Sequence, residues 1–315
     1  MIRASRPAAG PVLALLGIGC AWGMNFPLSK IAVTGGFRSF GIVVLNAAIG
    51  LVVMAALLLW RRKGLPLTRP ALIRYVFVGV LGTVLPNAAN YTAAQHLPAG
   101  IIALCMSLLP MVALPMALAV GVDRVTPMRV FGLLLGLTGA MLIALPEASL
   151  PDRGSVIFLP FVVLALSCYA SEGVGLGRLG RAGLDPLQLL CGATVVAFVL
   201  ALPLALATGT LAPPHWPVDR ADMAIVFAAL SNVAAYLGYV WLIGRGGSVF
   251  AAQVSYVVTG AGMVWSMALL SEAYAPWIWA ALVLVLAGVF LVQPRAAPAP
   301  APVVSRPPTP DGRLP

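Results

Sequence analysis

The segment PNAANY, at residues 86–91, recurs as SNVAAY at residues 231–236. The two copies match Asn87 with Asn232 and Tyr91 with Tyr236. Both copies lie within long apolar runs, where amides and phenols serve either to hydrogen-bond neighbouring helices or to contact a substrate. A polar segment duplicated in this way predicts that the chain consists of two related halves.

Other parts of the chain match in the same order. The matched segments are CAWGMNFPLSK at 20–30 with CYASEGVGLGR at 168–178, GAMLIAL at 139–145 with GVFLVQP at 288–294, and the acidic-then-Pro spacing Asp123, Pro127 with Glu272, Pro276. Offsets differ by a few residues, as insertions in loops allow. Together the matches divide the chain into a first repeat at 11–147 and a second repeat at 148–293.

The composition excludes a soluble protein. The chain has 315 residues, of which 61% are apolar and 9% charged, and its mean hydropathy is +1.01. Soluble domains carry about 25% charged residues. We therefore predict an all-α membrane protein, with the lipid bilayer as its surroundings. The net charge of +10 would suggest a nucleic-acid partner in a soluble protein, but the positions of the basic residues contradict that interpretation.

About 20 apolar residues are needed to cross a bilayer as a helix. The chain contains ten such runs, at 11–33, 40–60, 71–94, 98–120, 128–146, 155–177, 186–208, 221–243, 248–270 and 275–293. Five helices in each repeat make the second repeat inverted relative to the first. Inverted repeats are typical of transporters, which hold their substrate near the middle of the membrane and expose it alternately to either side.

The basic residues predict the orientation, because cytoplasmic loops carry an excess of Lys and Arg. With the amino terminus inside, fifteen of the 19 Lys and Arg residues fall on the inner side. We therefore expect a multi-pass inner-membrane protein with a cytoplasmic amino-terminal segment at 1–10. The Pro- and Ala-rich stretch at 294–315 is predicted to be a disordered cytoplasmic tail.

Three features together resemble the drug/metabolite transporter superfamily, in its ten-helix EamA-type branch. They are the five-plus-five arrangement, the W-G-x-N segment from Trp22 to Asn25, and the acidic-then-Pro turn before the last helix of each half. The resemblance covers about residues 11–293. It implies a bacterial carrier that exports amino acids or related metabolites, with aromatic-amino-acid exporters as the nearest relatives.

Candidate substrate-binding residues are the polar and aromatic side chains within the spans. In the first helix, Pro27 removes a backbone hydrogen bond, and non-helical backbone at membrane depth is tolerated where it is buried or lines a cavity. The full set is Trp22, Asn25, Asn87, Asn90, Tyr91, Ser107, Tyr169, Asn232, Tyr236, Tyr239, Gln253 and Tyr256. For each, packing within the helix bundle is the alternative role.

Glu172 is the sole carboxylate away from the first residues of a predicted span, since Asp222 is only the second residue of the span 221–243. One interpretation pairs it with Arg178 or Arg181 near the membrane interface. The other makes it a group that couples transport to protons or binds an amine of the substrate.

No catalytic constellation, metal site or cofactor is predicted, because the two histidines, His96 and His215, both lie near the outer surface. We therefore predict a carrier of small molecules, a monomer or weak homodimer. Its substrate is an amino acid or a related metabolite, moved by alternating access. Carriage of drugs, nucleobases or nucleotide sugars is the first alternative. An intramembrane enzyme and a channel are alternatives that no motif supports.

Overall fold

A computed structural model describes residues 9–121, 126–144 and 153–292. Most of the predicted amino-terminal segment, the predicted tail at 294–315 and Asp123 lie outside these ranges.

The described chain forms ten apolar helices, as predicted. Their bounds are α1 Gly10–Thr34, α2 Ser39–Trp60, α3 Arg69–His96, α4 Ala99–Ala119, α5 Pro127–Ile143, α6 Gly154–Leu179, α7 Pro186–Ala207, α8 Arg220–Arg245, α9 Phe250–Leu270 and α10 Pro276–Val292. The observed ends lie within three residues of the predicted ones. Pro127, Pro186 and Pro276 each begin a helix, where the missing N–H of proline costs nothing.

The first helix of each half packs against helices of the other half. Helix α1 packs on α8 and α9 of the second half, and α6 packs on α3 and α4 of the first half. Between these sets, α2 packs on α7, and α5 packs on α10. Because each half holds five helices, equivalent helices run in opposite directions. The predicted all-α fold of two inverted repeats is confirmed.

Helices α1, α3 and α4 are irregular near their middles. Helix α1 leaves regular geometry at Met24, between segments Ala9–Gly23 and Asn25–Thr34. Helix α3 contains a π-helical turn at Val80–Val84, and α4 is interrupted at Ser107. All three irregular helices pack against the other half, so their irregular backbone lies where the halves meet. π turns within α-helices often mark functional sites.

Glycines bring α1 against the second half. A Cβ atom at Gly23 would lie 2.8 Å from Gly262 N and from Val258 O on α9. A Cβ at Gly132 of α5 would lie 2.7 Å from Gly288 O on α10. Small residues let helix backbones approach closely in membranes. The spacing Gly19-x-x-x-Gly23 therefore marks a packing face.

Candidate functional site

The two halves meet through a hydrogen bond between α1 and α8. The indole Nε1 of Trp22 donates to Asn232 Oδ1 over 2.9 Å. The Trp22 ring lies 5.5 Å from the Tyr239 ring, tilted by 52°. On the preceding residue of each helix, Ser231 Oγ donates to the carbonyl of Ala21 over 2.6 Å. We call the pair Trp22 and Asn232 the first clasp.

A second contact joins α6 to α3. The hydroxyl of Tyr169 donates to Asn87 Oδ1 over 3.0 Å. Asn90 lies beside the same hydroxyl, and Asn46 of α2 donates through Nδ2 to the neighbouring Tyr91 hydroxyl over 3.0 Å. We call the pair Tyr169 and Asn87 the second clasp.

The two clasps are related by the repeat. Asn87 and Asn232 are the matched amides of PNAANY and SNVAAY, and α1 and α6 are the first helices of the two halves. In each clasp an aromatic side chain from the first helix of one half donates to the matched Asn on the third helix of the other half. Each predicted polar face thus bonds across the interface between the halves.

Some buried polar atoms near this interface have no hydrogen-bond partner within the described ranges. They include Asn46 Oδ1, Asn90 Oδ1 and the Tyr256 hydroxyl. An unsatisfied buried polar group costs about 1–3 kcal/mol, so each such atom in a folded protein calls for an explanation, such as a functional role. Among these unsatisfied atoms, Asn90 Oδ1 belongs to a residue that lies beside the second clasp.

Glu172 lies one helical turn after Tyr169 on α6. Its Cγ would be 3.2 Å from a Cβ at Gly82, which belongs to the π turn of α3. Within the described ranges its carboxylate has no hydrogen bond and no ion pair, and Arg178 instead donates through Nη1 to Val120 O over 2.8 Å. An ionised side chain at the centre of a bilayer costs about 2.5–3.5 kcal/mol or more. Within the described ranges, the predicted pairing of Glu172 with Arg178 or Arg181 is therefore not observed.

Other predicted site residues are engaged locally. Asn25 Nδ2 donates to the carbonyl of Trp22 over 3.2 Å and so satisfies the irregular turn of α1. Ser107 is buried, and its hydroxyl donates to Leu104 O over 2.6 Å. Gln253 lies at a turn within the first residues of α9, and Tyr256 packs against the main hydrophobic core. Among the described contacts, Asn25 meets the first clasp only through the backbone of Trp22, and Ser107 bonds only within its own helix.

Three residues that bond at or beside the interface between the halves were not predicted from the sequence. Asn46 bonds to Tyr91, Ser231 bonds across to α1, and Trp265 of α9 donates through Nε1 to Cys20 O over 3.1 Å. Asn46 could have been found, since it is the one amide in an otherwise apolar helix. Ser231 was visible as the first residue of SNVAAY.

At the Lys30 end of the bundle, charged side chains bind helix termini. Lys30 Nζ donates to Leu97 O over 3.0 Å, at the end of α3. Glu272, between α9 and α10, accepts from Ala99 N at 2.7 Å and Gly100 N at 3.1 Å, at the start of α4. It also accepts from the Tyr274 hydroxyl; burial, and then this carboxylate, raise the pKa of Tyr274.

His215 lies beside two acidic residues, and the sequence did not predict this cluster. His215, Asp219 and Asp222 offer ligand atoms within 4.8 Å of one another. However, Asp219 accepts from Ala221 N and Asp222 N, and Asp222 accepts from His215 N and Asp219 N. The group closes the start of α8 as a capping box, so its carboxylates are already occupied.

Comparison with protein families finds one that matches nearly the whole chain. Residues 9–145 and 156–293 each match the EamA-like transporter family. A solved crystal structure shares the fold, with a TM-score of 0.61 at 19% identity, covering 92% of this chain and 97% of its own.

Curated relatives are distant but cover most of the chain. A protein of Chlamydia trachomatis named S-adenosylmethionine/S-adenosylhomocysteine transporter is 26% identical over 86% of this chain and 85% of its own. An uncharacterized protein of Pseudomonas aeruginosa is 30% identical over 77% of this chain and 80% of its own.

Proposed function

The chain belongs to the EamA-like transporter family, and from this premise we propose that it exports amino acids or closely related metabolites by alternating access. It is a multi-pass membrane protein with a small-molecule substrate. In the proposal it resides in the bacterial inner membrane with both termini in the cytoplasm, as the distribution of Lys and Arg favours.

One observation carries the proposal. Two hydrogen bonds onto the matched amides, Trp22 to Asn232 and Tyr169 to Asn87, join the halves where unsatisfied polar atoms lie. In a carrier built from inverted repeats, the substrate binds at the interface of the repeats. A solute entering there would take over these donors and acceptors, and the clasps would open and close as the halves rock.

The chemistry of the clasps favours a zwitterion with a variable side chain. Amides and hydroxyls can bond to a carboxylate and to an ammonium group without a full countercharge. Within the described spans, the only Lys is Lys30, which is already bound to the end of α3. A phosphorylated solute would lack a basic partner at depth, so nucleotide sugars fit this interface poorly.

A second candidate substrate is S-adenosylmethionine, which the name of the Chlamydia trachomatis relative suggests. The observation that favours it is the pair of rings formed by Trp22 and Tyr239. Aromatic faces attract organic cations by about 0.5–2 kcal/mol, and they also stack on nucleobases.

Counterflow into proteoliposomes tests the proposal. Vesicles loaded with unlabelled solute would be offered labelled amino acids, S-adenosylmethionine, a nucleobase and a nucleotide sugar in parallel. We expect uptake of at least one amino acid or of S-adenosylmethionine. Thr138→Ala is the matched control variant, because its hydroxyl is exposed and bonds only to Leu134 O of its own helix. Uptake restricted to the nucleobase or nucleotide sugar would refute the substrate class.

A further inference from the structure

We infer that Glu172 is an exchange site, which holds either a proton or the cationic group of the substrate, an ammonium or a sulfonium. The inference rests on the proposed transport function and adds to it the coupling of export to protons. It starts from the position of the carboxylate. Glu172 is partly buried, seven residues before α6 ends at Leu179, which places it about 10 Å along the helix from that end.

Glu172 packs closely against the backbone of α3, and within the described ranges no hydrogen-bond or ion-pair partner meets its carboxylate. Gly82 presents no side chain, and a Cβ there would lie 3.2 Å from Glu172 Cγ. The glycine lies in the π turn of α3, where backbone geometry departs from the regular helix. Tyr169 and Tyr236 are close enough to interact with the carboxylate electrostatically. A carboxylate with tyrosines in its vicinity matches the chemistry that recognises an organic cation.

Other cations that could neutralise Glu172 are engaged elsewhere. Arg178 donates to Val120 O, and Arg74 of α3 donates to Leu179 O at 2.6 Å and to Gly180 O at 3.2 Å. Arg181 is exposed beyond the end of α6 and lies within electrostatic range of Tyr236, and within the described ranges it forms no ion pair with Glu172. The carboxylate is therefore left with a proton or an incoming cation as its counterion.

Few groups near Glu172 could produce the same pH dependence. The neighbouring titratable side chains are three phenols, Tyr169 on α6, Tyr91 on α3 and Tyr236 on α8, and the buried thiol of Cys168 on α6. An ordinary phenol ionises near pH 10 and an ordinary thiol near pH 8.5, both far above a carboxyl group. On α4, which also packs against α6, Cys105 is the titratable residue, and it is buried.

The exchange step balances as a simple proton transfer. When the ammonium or sulfonium group arrives, the proton leaves the Glu172 carboxyl for solvent, and the carboxylate then pairs with the cation. When the solute leaves, a proton returns from solvent. One positive charge is thus replaced by another, and solute moves out as a proton moves in.

Proton release on binding is the first arm of the test. Purified full-length protein in weakly buffered detergent solution would receive phenylalanine or S-adenosylmethionine, with a pH indicator as the readout. We expect about one proton released for each solute bound to wild type and to Glu172→Asp, none from Glu172→Gln, and about tenfold or more weaker binding to Glu172→Gln, as for loss of a charged hydrogen bond. Hydrocinnamate, which is phenylalanine without its amine, should release no proton from any variant. Equal release from wild type and Glu172→Gln would overturn the inference.

A second arm needs no substrate. Infrared difference spectra recorded while the pH is raised should show a protonated-carboxyl C=O band that disappears in wild type and is missing throughout in Glu172→Gln. Glu172→Asp should retain a shifted band. Identical spectra for wild type and Glu172→Gln would contradict proton binding by Glu172. Failure of the first arm with a normal infrared titration would point to the wrong solute, and thus to the proposed function instead.

Discussion

The two clasps share a frame but differ in their chemistry. In the first, an indole donates to Asn232, which is exposed on α8; in the second, a phenol donates to Asn87, which is partly buried on α3. The first is flanked by the Tyr239 ring, and the second by Asn90 and, one turn along α6, by Glu172. The repeat therefore supplies the symmetry needed for two exchangeable conformations. The charge of Glu172, by contrast, is present beside the second clasp alone.

The difference extends to the backbone. In the aligned segments CAWGMNFPLSK and CYASEGVGLGR, Met24 occupies the position of Glu172. Helix α1 is irregular at Met24, whereas α6 is regular at Glu172 and the irregular turn lies opposite it on α3. Both irregular turns thus belong to the first half, one within its own first helix and the other opposite the first helix of the second half.

The largest expected effect concerns two other aligned positions, Gly23 and Ser171. Gly23→Val should abolish folding, since a Cβ already meets backbone atoms of α9 at 2.8 Å and overpacking costs about 1–3 kcal/mol or more. Ser171→Val should be tolerated, because Ser171 Oγ faces the flexible Met116 side chain, at 3.6 Å from its Sδ. Yield of monodisperse protein and thermal unfolding would measure both. Equal loss in the two variants would contradict the stated asymmetry of the packing.

Removing the donors of the two clasps should have unequal effects on transport. Tyr169→Phe leaves Asn87 Oδ1 without its donor in a partly buried position, and we expect about tenfold slower counterflow, equivalent to about 1.4 kcal/mol. Trp22→Phe leaves an exposed Asn232 that water can reach, so the loss should be about two- to threefold. Tyr75→Phe is the control, because the Tyr75 hydroxyl is buried without a partner in the described residues. A larger loss from Trp22→Phe would reverse the ranking of the clasps.

At the Lys30 end, Glu272 crosses from the second half to the first. Glu272→Gln should lower the free energy of unfolding by about 1 kcal/mol, because the start of α4 loses its negatively charged acceptor. The thermal unfolding midpoint in detergent would report the change, with Thr138→Ala as the unaffected control. An unchanged midpoint would mean that the halves are held together at this end by apolar packing alone.

The smallest effect is expected for the exposed ion pair of Lys63 and Asp185, whose atoms lie 2.6 Å apart. The hydrogen bond from Lys63 holds the pKa of Asp185 below its usual range. Its stabilisation is therefore complete above the carboxyl pKa of the unfolded chain, about 3.9, and is lost as the pH falls through the lower folded value. Lys63→Met should cost at most about 1 kcal/mol at neutral pH, and its unfolding midpoint should converge on that of wild type in acid. A constant difference at every pH would refute the electrostatic origin.

Hydropathy predicted the ten helices because a bilayer fixes their length and composition. The internal repeat also predicted which faces are polar. Partners across the interface could not be predicted, since Tyr169 and Asn87 are brought together by the rotation and crossing of α3 and α6. Helix geometry explains why the expected pairing of Glu172 with Arg178 does not form. Six residues from Glu172 amount to about one and two-thirds turns, so the two side chains leave α6 on different faces.

The most direct test of a substrate site between the halves is an experimental structure with a transported solute bound. The account predicts density for the solute within hydrogen-bond distance of Asn87 or Tyr169 and of Trp22 or Asn232, with at least one clasp opened to admit it. Solute density on the lipid-facing surface, or a bound state in which both clasps stay closed and no solute lies beside them, would contradict it.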